Sequence, residues 1–169
     1  MKITIDLRDA EQLQQRWNNP ALIRQPMGDF FYATGIHVTN LAKVNAPHDR
    51  GRLRASLNHM IDTATVPQWV KVGSNLEYAP FMEYGTGLFA EGKGAKGGRH
   101  WPPGAALNVW AKRHGFGENA GSTVAWIIGT RGGLKPRRYL RKALADSLGQ
   151  VAIEMAHLAG AIAKAAAGK

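Results

Sequence analysis

From Arg138 onward, Leu140, Leu144, Leu148, Val151, Met155, Leu158 and Ile162 recur at spacings of three and four in an alanine-rich background. That period sets them on one stripe of a long amphipathic helix. At a rise of 1.5 Å per residue the helix spans roughly 35 to 40 Å, longer than a small domain needs. The stripe is therefore expected to be buried, in part against another subunit.

The 169 residues amount to about one domain, and a 44% hydrophobic fraction with 20% charged residues belongs to a globular protein. There are no cysteines, which excludes disulfides, thiolate zinc sites and cysteine nucleophiles. "MKITIDLRDAEQ" has no apolar run suited to a secretory signal, and no stretch is apolar enough to span a bilayer. A soluble protein made in a cytoplasm, with no membrane partner, is the expectation. Lysine and arginine number 22 against 12 acids, a formal charge of +10. Such an excess points to a polyanionic partner, or to a surface that faces one.

Along the chain, Ile3 and Ile5 suit a short strand, and "DLRDAEQLQQRW" reads as a helix capped by Asp6 or Asp9. Pro20, Pro26 and Gly28 are expected to break any helix there. Phe30, Ala33, Ile36, Leu41 and Val44 mark a packing helix from Asp29 to Val44, stopped by Pro47. In "GRLRASLNHMID" the residues Leu53, Ala55, Leu57, His59 and Ile61 alternate with Arg52, Arg54, Ser56 and Asn58, the pattern of a half-buried strand with a basic outer face. "QWVKVGS" supplies its antiparallel neighbour. Glycines at 87, 92, 94, 97 and 98 predict a mobile loop. "WPPGAALNVWAKRHGFG" predicts a short capped helix using Ala106, Val109 and Trp110, and "GSTVAWIIGTRGGLKP" is ambiguous between strand and helix.

Residues that carry chemistry are scarce. The histidines His37, His48, His59, His100, His114 and His157 are scattered, with none of the i, i+4 spacing of a helical metal site. Glu77 and Glu83 flank an aromatic cluster, Tyr78, Phe81 and Tyr84. They invite comparison with an acid and base pair, although a glutamate there in a basic protein is more often the partner of an arginine. "EGKGAKGG" lacks the spacing of a phosphate loop. "RGGLKPRRYLRK", Arg131 to Lys142, holds six cations and no acid around Tyr139. Arg131, Lys135, Arg137, Arg138, Arg141 and Lys142 are the candidate DNA-facing residues, or else a solvated collar at a helix start.

Three segments in order, "APHDRGRLRAS", "VGSNLEYAPFMEYGTG" and "GTRGGLKPRRYLRKAL", resemble the signatures of a family of tailed-bacteriophage tail-component proteins, also described as neck, head-tail joining or tail-completion proteins. The likeness covers roughly Asp29 to Leu148. It falls on Pro47, Asp49, Gly51, Leu53 and Ser56; on Tyr78, Ala79, Glu83, Gly85 and Thr86; and on Pro136, Leu140 and Ala143. Arg50 stands where the family has threonine, and Arg137 to Tyr139 replaces a plain Pro-Phe step.

The resemblance implies no catalysis, no cofactor and no metal. It implies a small α+β protein that acts in a ring of identical subunits near the junction of capsid and tail. Its partners would be its own copies and other connector or tail-tube proteins, with non-specific contact to DNA. The place would be the virion, assembled in the bacterial host cytoplasm. Under this reading the rings of Tyr78, Phe81 and Tyr84 bury against the sheet, and Glu83 pairs with Arg52 or Arg54 of the same chain or a neighbour. The alternative is a stand-alone basic nucleic-acid-binding module. The expected fold is a single α+β domain over 1–169, with a strand and helix in 1–28 and a small antiparallel sheet packed by an internal helix. A mobile Gly-rich loop over 88–100 and a C-terminal helix over 138–169 complete it.

Overall fold

Small residues decide how the first helix, α1 (Ala21–Asn45), lies on the hairpin beside it. A computed structural model describes residues 19–65, 68–92 and 97–167. The strand expected at Ile3 and Ile5 and the helix from Asp6 fall outside that set, as do Pro67 and 93–96, the middle of the Gly-rich loop. The fold is α+β, with a two-stranded antiparallel sheet and a long C-terminal helix. The chain groups into two compact units. One comprises α1 up to Ala42, the hairpin Leu57–Gly73 and the closing helix from Ala143; the other comprises Lys43–Ser56 and Ser74–Lys142.

In the first unit, α1 turns Gly35, Val38, Thr39 and Ala42 inward, a spacing of three and four that fits one helical face. A Cβ at Gly35 would stand 2.9 Å from the His59 ring and 3.0 Å from Val70, so glycine allows the helix to sit close on the hairpin. Thr39 Oγ1 lies 3.3 Å from His59 Nδ1. The hairpin pairs β1 (Asn58–Asp62) with β2 (Trp69–Gly73), with His59 opposite Val72 and Ile61 opposite Val70. Asp62 Oδ1 accepts the N–H groups of Ala64 and Thr65 and closes the turn that follows β1.

Three expectations about this unit change. The helix does not wait for Asp29 but runs through Pro26, which offers no N–H to the carbonyl of Leu22. Its apolar Ile36 and Val44 are 36% and 72% exposed, because the inward face belongs to smaller residues. The closing helix α6 (Tyr139–Ala167) forms as its period requires and keeps Val151, Leu158 and Ile162 of the expected stripe half-buried, yet the residues it turns fully inward are others. Ala143 and Ser147 are fully buried, whereas Leu144, Leu148 and Met155 are 54%, 61% and 57% exposed.

In the second unit, "GRLRAS" is a helix rather than a strand: α2 spans Arg52–Ser56. Gly51 takes φ +71 and its carbonyl accepts the Ala55 N–H at 2.8 Å, which starts a helical turn. Leu53 points inward and Arg52, Arg54 and Ala55 outward. The alternation therefore survives only in the β1 part, at His59 and Ile61. Next come α3 (Ala79–Tyr84), a 3-10 turn at Gly87–Phe89, α4 (Gly104–Arg113) and α5 (Gly121–Thr130). The ambiguous segment is thus helical over Gly121–Thr130 and irregular beyond it. On α4, Ala111 is the fully buried residue; Ala106 and Val109, expected on its apolar face, are exposed. The helices α4 and α5 meet where a Cβ on Gly121 would overlap the Gly104 carbonyl, and Asn108 Oδ1 accepts the Gly121 N–H at 2.9 Å.

Candidate functional site

The segments "YAPFMEYGTG" and "RGGLKPRRYLRK" come together in the second unit and form one junction. The short helix α3 starts at Ala79 with Pro80 in its first turn and stops at Gly85, which has φ +74. A Cβ on Gly85 would stand 2.7 Å from the Leu134 carbonyl and 2.9 Å from Pro136, so this stop requires glycine. Beyond it the two segments run side by side. Thr86 donates its N–H to Leu134 O at 2.9 Å, Leu88 donates to Gly132 O at 2.8 Å, and the Leu134 N–H reaches Thr86 Oγ1 at 2.9 Å. Gly87 and Gly133 both hold positive φ at this contact. A side chain on either would overlap the facing backbone.

One step further on, Arg137 and Arg138 donate their N–H groups to Met82 O and Glu83 O. Arg138 takes φ +53 and turns the chain into α6. The start of that helix has N–H groups with no partner of their own. Glu83, 3% exposed, supplies the acceptors: Oε2 takes the Leu140 N–H at 2.8 Å and Oε1 takes the Arg141 N–H at 3.1 Å. Its negative charge also sits at the positive end of the helix dipole. Arg141 Nε lies 3.4 Å from the same carboxylate.

A second glutamate completes the network. Glu91 pairs with Arg138 and, at 2.7 Å, with Arg141 Nη2. The Arg138 hydrogen bond, with Arg141 behind it, holds the Glu91 carboxyl down at about 2, against an ordinary 4.5. Tyr139 is 1% exposed, with its hydroxyl donating to Ala79 O at 3.5 Å. Burial first, and then the nearby Glu83 charge, pushes its phenol up to about 12.

The predicted residues thus divide. Tyr78, Glu83, Gly85, Thr86, Pro136 and Leu140 belong to this junction. Asp49, Gly51 and Leu53 form a separate corner of the same unit. There Asp49 accepts from Arg113 Nη1 at 2.8 Å, and this bond holds its carboxyl below the usual range. Leu53 is buried beneath α2, and Ser56 Oγ lies 2.7 Å from Ser74 Oγ.

Several expected contacts are corrected. Glu83 pairs with Arg141, not with Arg52 or Arg54 of its own chain; Arg54 Nε donates instead to Lys43 O at 2.8 Å. Buried and satisfied, Glu83 is not a group left over for a neighbour. Tyr78, Phe81 and Tyr84 are 40%, 52% and 46% exposed, because the side of α3 that packs inward carries Ala79 and Glu83. The loop expected to be mobile over 88–100 is tied at its first end, where Glu91 donates its N–H to Tyr84 O at 2.9 Å. Glu91 itself went unread, although one signal marks it. It is the lone acid between Glu83 and Glu118 in a chain that later offers six cations in a row of twelve residues.

Among the described residues, no group of three or more His, Asp or Glu could hold a metal ion, and no helix is long and apolar enough to cross a membrane. What this arrangement does chemically is hold backbone to backbone: two carboxylates and four glycines fix the entry into α6. No family model matches the sequence, and neither a curated protein nor a solved structure matches the chain.

Proposed function

We propose that this chain is a structural, non-catalytic subunit of a tailed-phage or prophage particle, one member of an oligomeric ring at the head-tail junction or the tail end. The observation that carries this reading is the outward stripe of α6. Leu144, Leu148 and Met155 stand in water along one side of the helix, and exposed Ala145, Ala152 and Ala159 run beside them. Apolar surface costs about 25 cal/mol per Å² in water, and a continuous stripe of it marks a face that a partner covers. The small alanines beside the stripe let a second backbone come close.

The junction supports the same reading from another side. Two positions of the family likeness, Glu83 in the second segment and Leu140 in the third, hydrogen-bond directly, and a third, Thr86, bonds to the neighbouring Leu134. The likeness therefore falls in part on a hydrogen-bonded framework. Copies of the same chain come first as partners, then other connector or tail-tube proteins, with assembly in the bacterial host cytoplasm and residence in the virion. Sedimentation velocity tests the subunit contact: wild-type protein associates, and Leu148→Asp stays monomeric with unchanged circular dichroism. A wild type that remains monomeric at every concentration contradicts the reading.

A further inference from the structure

The six cations of "RGGLKPRRYLRK" are not equivalent once folded. Arg138 and Arg141 are engaged by Glu91, and Arg141 by Glu83 as well. Arg131, Lys135, Arg137 and Lys142 are exposed and have no carboxylate partner among the described residues. The backbone that carries them is held in place: Gly132 and Gly133 are buried, and Arg137 is anchored through its N–H to Met82 O at 2.8 Å. Four uncompensated charges, three on a fixed loop and Lys142 in the first turn of α6, make a local positive field that water and salt only partly screen.

The interleaved aromatic decides which polyanion fits. Binding to single strands relies on rings on which bases stack, and the aromatic within this segment, Tyr139, is buried with its hydroxyl turned to Ala79 O. The rings beside the cations are already covered by them, with Lys135 Nζ 5.7 Å from the centre of the Phe89 ring and Arg141 5.5 Å from that of Tyr84, which leaves point charge suited to phosphate oxygens along a duplex. We infer that Arg131, Lys135, Arg137 and Lys142 form a sequence-independent contact surface for the backbone of duplex DNA, while Arg138 and Arg141 serve the fold. This goes beyond the assembly reading, and either can fail without the other.

The test uses the full chain and a short duplex of arbitrary sequence, with binding followed by fluorescence anisotropy across a salt series. Each phosphate contact adds about 0.9 to the slope of log affinity against log salt. The variant with Arg131→Ser, Lys135→Ser, Arg137→Ser and Lys142→Ser should lose up to about 3.6 from the wild-type slope, equivalent to roughly a hundredfold in affinity over a fourfold change in salt. A charge-matched variant, with Arg24→Ser, Arg52→Ser, Lys71→Ser and Lys164→Ser, should keep most of the slope. The four single variants of the surface, each expected to lose about 0.9, decide the matter if the quadruple variant misfolds. Equal losses in the two quadruple variants would mean that net charge alone acts, and would overturn the surface. Tighter binding of a single strand than of the duplex would overturn the choice of ligand, and a wild type that ignores DNA at low salt would overturn both.

Discussion

The Glu83 carboxylate accepts the Leu140 N–H at 2.8 Å and the Arg141 N–H at 3.1 Å, so the first turn of α6 is capped by a side chain from a helix more than fifty residues earlier in the chain. Removing that cap leaves two helix N–H groups facing a space emptied of their acceptor. Glu83→Ala should cost about 2–3 kcal/mol, read as a lower urea midpoint at unchanged slope. Glu83→Gln keeps one acceptor oxygen and should cost less. Equal midpoints for wild type and Glu83→Ala would mean that α6 does not need this carboxylate.

Glu91 makes the fold sensitive to acid. Its folded value, about 2, lies below the ordinary 4.5, so the ion pairs to Arg138 and Arg141 stabilise fully above about 4.5 and are lost as pH falls through about 2. Glu91→Gln should lower stability at neutral pH and flatten the acid limb of a stability profile. Tyr139 acts at the other end. Its phenol is raised from 10.0 to about 12, so its contribution is complete below 10 and fades as pH rises through about 12. Parallel acid limbs for wild type and Glu91→Gln would count against the network.

Glycine matters unequally along this chain. Gly87 and Gly115 both hold positive φ, at +64 and +79, but a Cβ on Gly87 would overlap the Gly132 carbonyl while one on Gly115 meets nothing. Gly115→Ala should cost only the conformational strain of about 1–2 kcal/mol. Gly87→Ala adds a backbone clash and should cost more than about 3 kcal/mol. Thermal melts of the two variants check the order, and equal losses would show that the contact between the segments is not as close as described.

Much of this architecture could be read in advance. The closing helix, the β1–β2 pairing at His59 and Ile61, and the helix after Pro103 all follow from local period and breakers. What could not be read is which side of a helix turns inward when alanine surrounds it. Leu144 and Leu148 are the larger side chains, yet Ala143 and Ser147 are the buried ones, because small residues allow close packing that a hydrophobicity period does not register. "GRLRAS" misleads for a related reason: five alternating residues fit a helical turn as well as a strand, and the deciding fact is the φ of Gly51. The partner of Glu83 was hidden by distance. Arg141 lies fifty-eight residues away, and only the pairing of the two glycine-bearing segments brings it near.

The two faces of α6 should respond in opposite ways. Ala143→Asp buries a charge at a fully enclosed site and should cost several kcal/mol or prevent folding. Leu148→Asp lies on the exposed stripe and, at a dilution where the wild type is dissociated, should change stability by no more than about 0.5 kcal/mol. A reversal of that order, seen by circular dichroism melts, would place the buried stripe on the leucines after all.

The proposed function is that of a ring subunit at the head-tail junction or the tail end of a tailed particle. Negative-stain electron microscopy of particles made with and without the gene tests this most directly. Separated heads and tails in its absence, restored to whole particles by the wild-type gene but not by one carrying Leu148→Asp, is the predicted result. Whole, normally tailed particles in the absence of the gene would contradict the account.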